Sequence, residues 1–76
     1  MNKQRKQRFN DAIDYINDAI SELYDIQAEE QDALDSLPDS LRNSSRGDEM
    51  GEWVDFIDNT VCSLENVIND IECQVN

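Results

Sequence analysis

The fold is decided at Leu37-Pro38-Asp39-Ser40-Leu41-Arg42-Asn43-Ser44-Ser45-Arg46-Gly47, where two long helical patterns are interrupted. Pro38 lacks the N–H that a helix interior requires, and Asn43, Ser44, Ser45 and Gly47 favour turns. Pro38 to Arg42 suits one helical turn with proline at its first position. Ser45 followed by Asp48 has the look of a capping box, and Asp48 and Glu49 suit the positive end of a second helix. Gly51 weakens that helix's opening turn.

On the N-terminal side, Phe9, Ile13, Ile16, Ile20 and Leu23 recur at steps of four and three. The rhythm runs on through Gln27 and Glu30 to Leu34 and Leu37, a heptad seam with a polar interruption. Ala12, Ala19, Ile26 and Ala33 widen one flank. On the C-terminal side Met50, Val54, Ile57, Val61, Leu64, Ile68, Ile71 and Val75 keep the alternation, widened by Trp53, Thr60 and Val67.

The pattern predicts an all-α fold, an antiparallel two-helix hairpin of coiled-coil type forming one domain over 1–76. Helix 1 is expected over about 6–36, the loop over about 37–47 and helix 2 over about 48–74, with residues 1–5 frayed. Folding about the loop sets Leu34 near Trp53 and Val54, Leu23 near Leu64, and Ile16 near Ile71. Gln27 and Glu30 then fall near Thr60 and Ile57 as a register-setting polar layer. The expected core, within the hairpin or between copies, is Ile16, Ile20, Leu23, Trp53, Ile57, Val61, Leu64 and Ile68. Helices of roughly 28 residues make a rod about 40 Å long. Two helices bury a single strip, narrower than these stripes, so a homodimer forming a four-helix bundle is expected.

Six basic against 18 acidic side chains leave a net charge of −12. That balance argues against direct contact with nucleic acid or an anionic membrane. With no export signal and no apolar run long enough to span a bilayer, a cytoplasmic protein is expected. Histidine is absent, and Cys62 and Cys73 are too few to build a structural zinc site. Eleven residues of helix separate the two thiols by roughly 16 Å, beyond disulfide reach. They read as exposed thiols, with an intermolecular or redox link as the lesser reading. No nucleophile–His–acid set, phosphate loop or EF-hand ladder occurs, so no enzyme, metal or cofactor is expected.

Asp11, Asp14, Asp18, Glu22, Asp25, Glu29 and Asp32 follow at steps of three and four, placing seven carboxylates on one outward stripe. One reading is a solvated face. The other is mimicry of a nucleic-acid backbone: the row spans about 31 Å, roughly 5 Å per charge, against about 3.4 Å per phosphate on a DNA strand. Tyr24 and Phe56, outside the seams, are candidate aromatic anchors for a partner. The basic opening, Lys3, Arg5, Lys6 and Arg8, has two readings, RNA contact and, preferred, pairing with Asp70 and Glu72 within the hairpin or in a dimer.

The segments Glu29-Glu30-Gln31-Asp32-Ala33-Leu34-Asp35-Ser36-Leu37-Pro38-Asp39-Ser40-Leu41 and Glu49-Met50-Gly51-Glu52 carry a resemblance. Over residues 9–72 the chain resembles small acidic helical-hairpin proteins of phages and bacteria, a group with a shared turn and no assigned biochemical activity. Asp stands at several outward positions where that group more often has Glu, and the cysteines lie outside its pattern. The resemblance is specific for fold and nearly silent on activity; the phage setting it suggests implies a small acidic protein that binds and blocks a larger one in the host cytoplasm. Together with the acidic stripe, it points to an inhibitor of a basic or nucleic-acid-binding host or defence protein. The alternative is a structural or adaptor coiled coil acting through dimerisation.

Overall fold

A computed structural model describes Met1–Asn76 as an all-helical, elongated helix-turn-helix. Helix α1 spans Lys3–Asp35, a single turn α2 spans Asp39–Arg42, and α3 spans Ser45–Val75. The long helices run antiparallel in a rod 59 Å long: α1 alone spans about 50 Å, and the turn that carries α2 lies beyond its end.

At the N-terminus, Asn2 caps α1: its side-chain oxygen accepts the Arg5 backbone N–H at 2.8 Å. This satisfies one orphan donor of the first turn, so residues 3–5 are helical rather than frayed.

The helical turn expected between the long helices forms as α2, and only its boundaries differ from expectation. Pro38 precedes α2 as its cap, and its carbonyl accepts from the Leu41 and Arg42 N–H groups at 2.9 Å. Ser44, not Ser45, caps α3, and its hydroxyl donates back to the Leu41 carbonyl, so the expected capping box does not form. Arg42 ties the turn together. Its guanidinium donates to the carbonyls of Asp35 (2.8 Å) and Leu37 (3.2 Å) and pairs with Asp39 at 3.7 Å. It thereby caps the C-terminal end of α1, where backbone carbonyls lack helical partners.

Gly47 lies inside the first turn of α3, not in a loop, and is buried. A Cβ there would overlap the Arg42 carbonyl oxygen and stand 2.7 Å from its carbon. Glycine is what lets α3 start against the backbone of α2.

Five side chains form the buried core: Ile13, Ile20, Ile57, Val61 and Ile68, with Val61 only 2% exposed. Ile16, Leu23, Leu64 and Ile71 pack partly buried against them. Trp53, expected in the core of the hairpin or between copies, lies outside the hairpin core at 54% exposed. It sits one residue, about 100° of helix rotation, from the seam position Val54, and two helices cover only the strip they share.

Candidate functional site

All seven carboxylates of the α1 stripe are exposed. They lie on one uninterrupted helix, so the row keeps the spacing of the backbone beneath it. Among them only Asp11 has a side-chain partner, the Gln7 amide at 3.2 Å. No cation pairs with any of the seven, because Arg42–Asp39 is the one ion pair in the chain. Lys3, Arg5, Lys6 and Arg8 therefore make no ion pair with Asp70 or Glu72. Lys6 and Asp70 line the same open depression at the rod tip without closing on each other.

The two aromatic candidates stand on opposite edges of the hairpin. Tyr24 lies on the edge that carries Asp58, Cys62 and Glu65. Its phenol is held above the ordinary tyrosine value, first by desolvation and then by the negative charge of Glu65, Cys62 and Asp58. On the same edge, the Gln27 amide donates to Asp58 Oδ1 at 2.7 Å and to the Val54 carbonyl at 3.1 Å. This is the polar layer, but its partners are Val54 and Asp58. Thr60 turns its hydroxyl to the Phe56 carbonyl of its own helix at 2.8 Å.

The other edge carries exposed apolar side chains among charged ones. Trp53 and Phe56 meet edge to face, with ring centroids 5.6 Å apart and planes at 87°. Trp53 shares a shallow depression with Glu30, Ala33, Arg46, Glu49 and Met50, which places Ala33 of α1 and Trp53 of α3 on one side of the rod. Ile26 and Val67, exposed and in heptad step with Ala33 and Trp53, extend that side. Sequence places Ile26, Trp53 and Val67 on the flanks that widen the two stripes, while Phe56, outside both seams, joins this edge through its contact with Trp53. The available signal is that matching flanks of two antiparallel heptad helices face the same way.

Cys62 and Cys73 are free and exposed. No three His, Cys, Asp or Glu side chains converge in a way that would hold a metal ion. No helix is long and apolar enough to cross a membrane. Comparison with protein-family models, with curated proteins and with solved structures finds no match to this chain.

Proposed function

We propose that the protein is a non-enzymatic, acidic protein-binding module that presents its α1 stripe to the basic groove of a nucleic-acid-binding protein and blocks it. The observation that carries this reading is a row of seven exposed carboxylates, Asp11 to Asp32, on one helix with no cation against any of them. Such a row attracts a basic surface over a distance and steers its approach. On the resemblance noted above, the target is a host or defence protein. Partner capture should be strongly salt dependent, and DNA or RNA should compete for the same partner. Capture that persists in about 0.5 M salt, where charges are screened within a few ångströms, would contradict the proposal.

A second reading is favoured by a separate observation, the exposed apolar edge of Ile26, Trp53, Phe56 and Val67. It makes the protein a structural or adaptor coiled coil that works by pairing hairpins into a four-helix bundle. Under that reading neutralising Asp18, Glu22 and Asp25 leaves function intact. Function is lost both with Val61 or Leu64 substitutions, which unpack the hairpin itself, and with Trp53→Ala, which removes only the exposed edge. Dimerisation is also compatible with the first reading, since the stripe lies on the face of α1 turned away from the seam.

A further inference from the structure

We infer that the apolar edge takes a second copy of this chain in one register: the rods pair antiparallel, α1 on α1 and α3 on α3, with the basic tip of each against the acidic turn end of the other. The inference rests on the dimer reading above and specifies its face and direction.

Surface area supports a self-partner. The hairpin exposes 5802 Å², where a compact monomer of its 8.8 kDa would expose about 4,800 Å². The excess, about 1,000 Å², is comparable with the roughly 800 Å² each partner contributes to a standard interface.

Charge selects the direction. Helix α1 runs against its own macrodipole, with no acidic residue in its first turn and no basic residue in its last. Lys3, Arg5, Lys6 and Arg8 crowd the positive end, while Asp32 and Asp35 crowd the negative end. Within the chain those four cations find no acidic partner. An antiparallel copy supplies what each end lacks. A two-fold axis along the rod would instead bring two basic tips together and two acidic ends together.

Residue size fits the same register. Arg5, Ala12, Ala19, Ile26 and Ala33 occupy one heptad row of α1. Arg5 and Ala33 are equidistant from Ala19, as are Ala12 and Ile26, so an axis at Ala19 sets each large side chain against an alanine. Alanines in the row let the two helices approach closely. In the register that places Ala33 beside Trp53, Val67 stands level with Ala19 and also meets its own counterpart. Trp53 and Phe56 then project beyond the C-terminal end of the second copy's α3. There the depression lined by Met1, Arg5, Arg8, Phe9 and Ala12 lies open to receive them. Its arginines come over the depression that holds Glu30 and Glu49, and they offer cation–π partners for the indole.

The test uses the full chain in sedimentation equilibrium with Arg8→Glu and Glu30→Arg, two positions equidistant from Ala19, with helicity checked by circular dichroism. Each variant alone should self-associate roughly tenfold more weakly than wild type, because two symmetry-related attractions become repulsions. An equimolar mixture of the two should recover wild-type dimerisation, since every contact in the heterodimer is again opposite in sign. A wild-type chain that stays monomeric at every concentration overturns both the inference and the dimer reading, and leaves the edge to a different protein. A wild-type dimer with no recovery on mixing, or strengthened by Arg8→Glu alone, overturns the face and direction but not dimerisation.

Discussion

Gln27 of α1 and Asp58 of α3 are joined across the hairpin by a 2.7 Å hydrogen bond, and the same amide reaches the Val54 carbonyl at 3.1 Å. Gln27 occupies a seam position where an apolar residue would pack, so its amide fixes the relative height of the two helices by a directional bond. A double-mutant cycle of Gln27→Ala and Asp58→Ala, read by thermal or urea unfolding, should give a coupling of about 1 kcal/mol. Additive single effects would show that the bond does not set the register.

The two glycines of α3 should respond in opposite directions. Gly47→Ala forces a Cβ into the Arg42 backbone and should destabilise the hairpin by about 1–3 kcal/mol. At Gly51 a Cβ would meet nothing within 4 Å, and Gly51→Ala should stabilise by about 0.5–1 kcal/mol through helix propensity. Unfolding midpoints of the two variants check both signs.

Val61 and Trp53 separate hairpin stability from surface recognition. Val61→Ala removes the most deeply buried side chain and should cost about 2 kcal/mol of unfolding free energy. Trp53→Ala, at a side chain more than half exposed, should leave monomer helicity intact and weaken self-association instead. Loss of helicity in the tryptophan variant would place that residue in the hairpin core after all.

Tyr24 offers a pH readout. In a Tyr15→Phe chain, phenolate absorbance should report a Tyr24 midpoint above 10.0, and Glu65→Gln should lower it. The folded state favours the protonated phenol, so the stability it contributes is complete below the unfolded-chain value and fades as pH rises through the higher folded value. A midpoint at or below 10.0 would contradict the placement of Tyr24 beside Glu65.

The hairpin is legible in the sequence because Val61, Ile57, Ile68 and Ile20 follow a heptad rhythm on both sides of a single proline break, and period alone determines which strip is buried. The helix ends and the boundaries of the turn are not legible. Asn2 is a favoured cap type that the heptad rhythm, beginning at Phe9, does not reach; Arg42 as a clamp on the α1 carbonyls depends on local geometry that residue type does not specify, and the tight approach at Gly47 arises only when α2 and α3 are in contact. Trp53 is legible as an apolar flank residue, but its burial depends on how many helices share the interface, which heptad period does not specify. The stripe from Asp11 to Asp32 is fully legible, because helical spacing fixes which side chains share a face.

The most direct test of the central claim compares wild-type protein with Asp18→Asn/Glu22→Gln/Asp25→Asn as immobilised bait for a basic nucleic-acid-binding fraction, at low salt and with added DNA. Wild type should retain a partner that DNA displaces, and the neutralised stripe should retain at least roughly tenfold less of it while remaining helical. Equal retention of the same partner by both baits would contradict the account.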